Sequence, residues 1–277
     1  MTLRLPEGLR DSRLTGRLEA AVHAVSSAGV ALLRLRGSRL QTRECGTQLK
    51  TAVDLAAEGW VAGYLEGSYP SDHFLCEERF GHDPSGWRGS RSFWTVDALD
   101  GTRSYVEGFD GFCVQVAFVS EGTPQLAAIM EPVRDKCFVA IAGRGAYRLS
   151  LPGGERLSRL SEEELGRPRF VDSTPPDGAA GEIMRRLRGR FIEHGSVGLK
   201  LCRIAEGSGE VVLKRFAHKV WDVAPGDCLL REVGGFVADW RGRPVPYDGS
   251  TVHLAELLAS RVSWRDALVA RIAEVAA

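Results

Sequence analysis

The sequence predicts a mixed α/β protein with two domains, residues 1–150 and residues 151–277. Over residues 13–36, apolar side chains recur every three or four positions, which is the period of a long amphipathic helix. Short apolar runs bounded by glycine turns follow, and such runs are typical of strands. Beyond residue 169, strand-like and helix-like segments alternate, as they do in α/β layers. We therefore expect an α+β domain followed by an α/β domain.

The first half is expected to be a sheet with two helices. A polar loop runs to Lys50, and a second helix is predicted over residues 52–66. The predicted strands are residues 73–76, 93–96, 112–119, 125–130 and 137–142. The acidic stretch of residues 97–102 is expected to form a turn after the second of these strands.

The second half begins after residues 151–169, which are rich in Pro, Gly, Ser and Glu and mark the expected domain boundary. Strands are predicted at residues 170–172, 191–193 and 211–213, and helices at residues 180–188, 199–206 and 223–233. Residues 254–276 are expected to supply one or two closing helices.

Composition and charge exclude several classes of function. Apolar residues make up 44% and charged residues 26% of the chain, which excludes a disordered or fibrous protein. The 36 basic residues balance the 36 acidic ones, so no general attraction to nucleic acid or anionic lipid is expected. No unbroken apolar run approaches the ~18 residues of a membrane span, and the N-terminus has no secretion signal. We expect a cytoplasmic protein that acts on a small molecule, without a nucleic acid polymer or a membrane as partner.

Acidic residues recur where predicted strands end and helices begin. They are Asp54, Glu77, Glu78, Asp97, Asp100 and Asp222. Adjacent carboxylates such as Glu77 and Glu78 repel each other unless a cation lies near, and hard cations prefer oxygen ligands. The N–H groups that follow Asp100 at a helix start suit a phosphate oxygen. For the turn at residues 97–102 and for Asp222, a helix cap is an alternative explanation, and the residues themselves leave both open.

Three motifs resemble the signatures of the inositol monophosphatase superfamily of metal-dependent phosphatases. They are Glu77-Glu78, the line WTVDALDGT at residues 94–102, and WDVAPG at residues 221–226 with Gly234-Gly235. Their order and spacing cover residues 13–250, and Ala98 stands where members usually have Pro. The resemblance implies a layered αβαβα sandwich, a Mg²⁺-dependent phosphomonoesterase and, as is usual for relatives, a homodimer.

The resemblance also implies a role for each matching residue. Glu77, Asp97 and the Leu99 carbonyl would hold one Mg²⁺, and Asp97, Asp100 and Asp222 a second. The N–H groups of Gly101 and Thr102 would bind the phosphate. Asp54 and the Thr102 hydroxyl would take a proton from the attacking water, with Glu77 as a further catalytic residue. In the family, a third and weaker metal site lies near Asp54.

The substrate is predicted from the second half. Residues 195–207 resemble the branch that acts on 3'(2'),5'-bisphosphate nucleotides, which makes Gly195, Ser196 and Lys200 candidate substrate contacts beside Asp222. Arg215 stands where inositol-specific relatives have a Glu, and a cation there suits a second phosphate. A solvated basic surface at Arg215 and its lysine neighbours is the alternative explanation.

The branch signals conflict, because GTRSY at residues 101–105 resembles histidinol phosphatases. The expected substrate is 3'-phosphoadenosine 5'-phosphate, which would lose its 3'-phosphate to give AMP. The first alternative is inositol 1-phosphate, histidinol phosphate or another sugar or polyol monophosphate. The second is a non-catalytic relative that senses a nucleotide or phosphate.

Overall fold

The computed structural model describes residues 4–10, 12–37, 42–45, 48–80, 87, 89–150, 153–215 and 218–276, without the side chains of residues 42–50 and 276. The elements stack as two helices, a seven-stranded sheet, two helices, a smaller sheet and two outer helices. Three clusters of buried apolar side chains fill the spaces between the layers. The predicted mixed α/β fold with αβαβα layering is confirmed.

The helices form the outer and middle layers. They are α1 (Thr15–Leu35), α2 (Ala52–Ser68), α3 (Thr102–Glu107), α4 (Gly178–Arg186), α5 (Val197–Ala205), α6 (Val220–Val233) and α7 (Arg265–Ala276). One face of the large sheet packs on α1 and α2, and the opposite face packs on α5 and α6. The outermost layer, α4 with α7, covers the smaller sheet.

Helix α1 has the length and the mean hydropathy, 1.3, of a membrane-spanning helix, which the short apolar runs in the sequence did not indicate. Its residues Leu18, Val25 and Leu32 are fully buried in the cluster shared with the large sheet. This one-sided burial is the arrangement of a core helix packed on a sheet.

The strands form one large sheet and several small ones. They are β1 (Thr42–Cys45), β2 (Gln48–Thr51), β3 (His73–Cys76), β4 (Ser92–Asp100), β5 (Cys113–Ser120), β6 (Thr123–Glu131), β7 (Lys136–Ile141), β8 (Gly145–Ser150), β9 (Gly153–Arg156), β10 (Arg169–Asp172), β11 (Arg190–Glu193), β12 (Val212–Lys214), β13 (His218–Lys219), β14 (Gly235–Ala238), β15 (His253–Leu254) and β16 (Leu257–Arg261). The large sheet runs from β3 to β9 in chain order, with β3 and β4 parallel and all other neighbours antiparallel. In the small sheets, β16 lies between β12 and β14, β10 pairs with β11, and β13 pairs with β15.

Three of the acidic residues lie on elements other than those that the sequence predicts. Strand β4 extends to Asp100, so Asp97 and Asp100 lie on the strand and not in a turn after it. Asp97 pairs with Gln115 of β5 and Asp100 pairs with Cys113, so a step of three residues on β4 lies opposite a step of two residues on β5. This β-bulge reorients the carboxylates. Helix α6 begins at Val220, so Asp222 occupies its first turn and does not precede the helix.

Other corrections reflect pairing that local patterns do not reveal. The segment Leu257–Arg261, expected to be helical, is β16, and it is held as a strand by hydrogen bonds to partners on both sides. The polar loop before residue 51 contains the hairpin of β1 and β2. Strands β8, β9 and β14 were also not predicted. Residues 157–168 contain no helix or strand, and the domain division near residue 150 stays a prediction.

Candidate metal and phosphate site

Three carboxylates from distant parts of the chain meet at the end of β4. Oxygen atoms of Glu77, Asp97 and Asp222 all lie within 4.8 Å of one another. Glu77 is held beside β4 because its N–H donates to the carbonyl of Val96 at 3.1 Å, continuing the parallel pairing of β3. Asp222 is fixed by its position in the first turn of α6, where its Oδ2 accepts from the N–H of Lys219 at 2.7 Å.

The electrostatics of this trio favour a bound cation. Burial raises the pKa of Asp97 well above its usual range, and the nearby charges of Glu77, Asp100 and Asp222 raise it further. Burial likewise raises the pKa of Asp222, with Asp100 contributing next. Carboxylates whose charges raise the pKa of a neighbouring acid are stabilised together in the charged form by a multivalent cation. The oxygen-only donor set suits Mg²⁺.

Asp100 is anchored from the second half of the chain. Its Oδ2 accepts from the hydroxyl of Ser196 at 2.6 Å, from the N–H of Gly198 at 2.7 Å and from the amide of Gln115 at 3.1 Å. The first two contacts tie one oxygen of Asp100 to the start of α5. The charge of Asp100 also raises the pKa of both Asp97 and Asp222. Ser196, a predicted substrate contact, uses its hydroxyl here to hold Asp100.

The predicted dyad forms. The Thr102 hydroxyl lies 2.8 Å from Oδ1 of Asp54 and 3.2 Å from the Leu99 carbonyl, both of which can accept from it. The second oxygen of Asp54 accepts from the Thr51 N–H and hydroxyl, at 2.8 and 2.5 Å. This capping box at the start of α2 fixes Asp54 against rotation. The Asp54 carboxylate therefore makes both the cap of α2 and the contact with Thr102.

Glycines allow the backbone around the turn predicted to bind phosphate to pack closely. Gly101 directly precedes α3 as its N-cap and has a φ of +96°. A Cβ on Gly101 would lie 2.4 Å from the carbonyl oxygen of Gly111. A Cβ on Gly195 would lie 2.1 Å from the same oxygen. The β4–α3 turn and the segment before α5 can therefore approach only because these positions lack side chains. The Gly101 and Thr102 N–H groups lie at the N-terminus of α3, where the helix itself offers them no acceptor.

A cluster of lysines around Asp172, which we call the Asp172 cluster, accompanies the acidic site. Asp172 accepts from Lys214 Nζ at 2.6 Å, and Lys200 Nζ lies 3.3 Å away while donating to the Ser173 hydroxyl at 2.8 Å. Burial opposes the charge on Asp172, but Lys200 and Lys214 lower its pKa overall. Burial, with the nearby charge of Lys214, lowers the pKa of Lys200 to about 8, and Lys200 in turn acts on Asp222. The neighbouring His218 completes the cluster.

Arg215 lies in a different environment from the one the sequence suggested for it. Its guanidinium lies 5.5 Å from the centre of the Trp240 ring and 3.6 Å from Glu256, and its side chain is 68% exposed. Lys200, in contrast, is only 2% exposed. Of the two cations proposed as substrate contacts, Lys200 and Arg215, it is Lys200 whose charge acts on Asp222, as the charge of Lys219 also does.

Sequence reasoning missed three residues that support the site. Both oxygens of Glu58 accept N–H groups, from Glu78 at 2.6 Å and Arg79 at 3.1 Å, and so fix the turn that carries Glu77. Its place four residues after Asp54 on α2 was the available signal. Gln115 could have been noticed as an amide inside the apolar predicted strand of residues 112–119. Asp172 stands at the end of a predicted strand, as the other acids do.

The model of the inositol monophosphatase family matches residues 14–275. The chain belongs to the inositol monophosphatase family. Nus factor SuhB of Xylella fastidiosa is 32% identical over 267 residues, covering 89% of this chain and 90% of that protein. The 3'(2'),5'-bisphosphate nucleotidase CysQ of Shigella flexneri is 28% identical, covering 71% of this chain and 78% of CysQ.

A solved structure agrees with the family assignment. Inositol monophosphatase from Anabaena superposes with a TM-score of 0.76 at 26% identity, covering 95% of this chain and 98% of that one. Members of the inositol monophosphatase family are metal-dependent phosphoric monoester hydrolases that in general use Mg²⁺, and this chain is an enzyme of that class. The acidic trio of this chain has the donor set that such a metal requires.

Proposed function

We propose that this phosphatase is a 3'(2'),5'-bisphosphate nucleotidase that releases the 3'-phosphate of 3'-phosphoadenosine 5'-phosphate. The observation that carries the proposal is the Asp172 cluster beside the acidic site. Lys200 and Lys214 share the carboxylate of Asp172 there, which brings two cationic groups together. A neutral polyol offers no anion to meet them, whereas the 5'-phosphate of a bisphosphate nucleotide does.

The position of Lys200 supports this assignment. Lys200 acts electrostatically on Asp222, and Asp100 acts on Lys200, so the cluster borders the proposed metal ligands. Lys214 is the more accessible of the two lysines, with 17% of its side chain exposed. We propose that Lys214 contacts the second phosphate, while the buried Lys200 attracts it through its charge without touching it. Gly195, at the entry to α5, and Arg215 remain proposed substrate contacts from the sequence.

A cavity next to Lys219 suits the nucleoside. The Lys219 N–H donates to Asp222, and its Nζ lies 2.8 Å from Nδ1 of His253. His253 lines a cavity of about 410 Å³ together with Pro244, Val245 and Leu254. Mixed apolar and polar walls of this kind accommodate a flat base and its ring nitrogens. The CysQ relative carries the name of this activity, while other relatives bear different names.

The proposed mechanism assigns a task to each residue of the site. Glu77, Asp97 and Asp222, with Asp100 and the Leu99 carbonyl, would hold two Mg²⁺ ions, which supply charge neutralisation and a lower pKa for water. The N–H groups of Gly101 and Thr102 orient the phosphate for in-line attack, in which the water oxygen bonds to phosphorus as the bond to the 3'-oxygen breaks. That oxygen takes a proton from solvent and leaves as the 3'-hydroxyl of AMP. The Thr102 hydroxyl receives the proton of the attacking water as it passes its own proton to Asp54. Asp54 can serve as acceptor because Thr51 holds its second oxygen.

The test measures Mg²⁺-dependent phosphate release from four substrates. They are 3'-phosphoadenosine 5'-phosphate, adenosine 3'-phosphate, inositol 1-phosphate and histidinol phosphate. The bisphosphate should have the highest kcat/KM, and Asp97→Asn should be inactive with all four. Lys214→Met should lower kcat/KM for the bisphosphate at least about tenfold more than for adenosine 3'-phosphate, which is the loss expected for one charge-assisted hydrogen bond.

Two further variants complete this experiment. Arg215→Glu tests the second cation in the same way. Lys136→Met is the matched control, because Lys136 pairs with Glu206, which lies outside the Asp172 cluster. The proposal is wrong if inositol 1-phosphate or histidinol phosphate is the best substrate. It is also wrong if Lys214→Met slows the bisphosphate and the monophosphate equally.

A further inference from the structure

We propose that Gln115 is a positioning residue whose side-chain amide fixes two of the acidic metal ligands, Asp97 and Asp100, for cation binding. Its Nε2 lies 3.3 Å from Oδ2 of Asp97 and 3.1 Å from Oδ2 of Asp100. The same nitrogen is 3.5 Å from the carbonyl oxygen of Asp222. One amide thus faces all three aspartates that the sequence motifs assign to the metals.

The β-bulge of β4 explains how one side chain reaches two carboxylates. Gln115 is directly opposite Asp97 in the β4–β5 pairing, and the register shifts before Asp100. Without that shift, Asp97 and Asp100 would point to opposite faces of the strand, because they are an odd number of residues apart. The bulge brings both acids to the face on which Gln115 projects.

The side-chain carbonyl of Gln115 indicates that packing alone does not explain why a glutamine occupies this position. Gln115 is completely buried, and its Oε1 has no hydrogen-bond partner among the described residues. A buried acceptor without a partner costs free energy that an apolar side chain of equal size would avoid. A Cβ on Gly198 would lie only 2.2 Å from this oxygen, so the missing side chain there provides the space it occupies.

Gly198 and Gln115 act on the same carboxylate from different elements. The N–H of Gly198, at the start of α5, donates to Asp100 at 2.7 Å, as the Gln115 amide does from β5. The carboxylate is therefore held in one orientation with its other oxygen left for a cation. Ligands held by such outer contacts bind metal more tightly, because less ordering is lost on binding.

A neutral amide suits this place better than a charged or an apolar side chain. A lysine or arginine between Asp97 and Asp100 would neutralise the acids and compete with the cation. A leucine would leave two like charges without a donor between them. The amide weakens their repulsion and keeps the total negative charge that attracts Mg²⁺.

The first test is a Mg²⁺ titration by calorimetry, without any substrate. Gln115→Met keeps the volume and removes the donor, and we expect it to weaken Mg²⁺ binding at least about tenfold, as is typical when an outer-shell partner is lost. Gln125→Met on β6 is the matched control, since the side-chain amide of Gln125 reaches only the carbonyls of Ser120 and Thr123 among the residues that the structure describes. Its Mg²⁺ affinity should equal that of the wild type.

A second variant tests the proposal should Gln115→Met not fold. Gln115→Glu places another carboxylate between the aspartates, so its metal-free Tm should fall and Mg²⁺ should raise its Tm by more than it raises that of the wild type. Mg²⁺ affinity of Gln115→Met within twofold of the wild type would overturn the proposal. An equal Mg²⁺-induced rise in Tm for Gln115→Glu and wild type would overturn it too, as would a wild type that binds no Mg²⁺. The substrate proposal is tested separately, because no nucleotide is present.

Discussion

The hydroxyl of Thr102 donates a 2.8 Å hydrogen bond to the carboxylate of Asp54, which lies 48 positions earlier in the chain. This bond connects the start of α3 to the start of α2, so two helix N-termini face the same space. The Thr51 cap holds the remaining Asp54 oxygen, which leaves Thr102 as the group through which Asp54 can accept a proton. The contact therefore links the capping of a helix to the proposed activation of water.

Removing the Thr102 hydroxyl should slow catalysis more than binding. Thr102→Val keeps the shape of the side chain, and kcat should fall by about 10²- to 10⁴-fold, the usual contribution of a positioned proton acceptor. Steady-state kinetics at saturating Mg²⁺ would measure this. Thr102→Ser retains the hydroxyl and should keep most of the activity. A Thr102→Val enzyme with more than one-tenth of wild-type kcat would contradict the assigned role.

Neutralising Asp172 should destabilise the fold strongly. Asp172→Asn leaves Lys200 and Lys214 as neighbouring cations without their shared anion, and we expect a loss of about 3 kcal/mol in the free energy of unfolding. The control is Glu155→Gln, because Glu155 is 69% exposed and pairs with Arg148 at the surface. That change should cost at most about 1 kcal/mol. Urea unfolding of the metal-free proteins measures the free energy of unfolding of both variants. Equal losses would show that the Asp172 cluster stabilises the fold no more than a surface ion pair does.

The buried His218 should make the protein less stable at acidic pH. Burial and the charges of Lys214 and Lys200 lower its pKa from 6.5 to about 3 in the folded protein. Below pH 6.5 the unfolded chain therefore binds a proton that the folded protein does not, and stability falls as pH decreases. Between pH 6.5 and 5 this amounts to about 2 kcal/mol.

His218→Gln removes that titration and keeps a polar side chain. Urea unfolding of the metal-free protein at pH 7.5 and pH 5 should then show a pH-dependent loss about 2 kcal/mol smaller than in the wild type. Because the carboxylates titrate in both proteins, the difference isolates the histidine. An identical pH dependence in both would mean that His218 carries its proton in the folded state.

Local patterns predicted much of the fold because the pattern of apolar residues reflects how an element is buried: α1 buries one face, whereas β5, β6 and β7 are buried on both. The helical period of α1 and the apolar runs of β5, β6 and β7 indicated their structures without knowledge of any partner. The pattern was insufficient for β16, whose residues Leu257–Arg261 are strand only because β12 and β14 bind both its edges. The same holds for the end of β4, where pairing with Gln115 and Cys113 extends the strand through the acids.

The sequence by itself predicted which side chains and backbone groups would bind a metal and a phosphate, through residue type, short spacing and the resemblance of the motifs to those of the family. Only the tertiary structure decided how those groups are held. Ser196 and Gly198 reach Asp100 from 96 and 98 positions away, and Lys214 meets Asp172 across 42 positions. Hydrogen bonds and charge interactions depend on distances of a few ångströms, and for residues so far apart in the chain those distances exist only once the layers have packed.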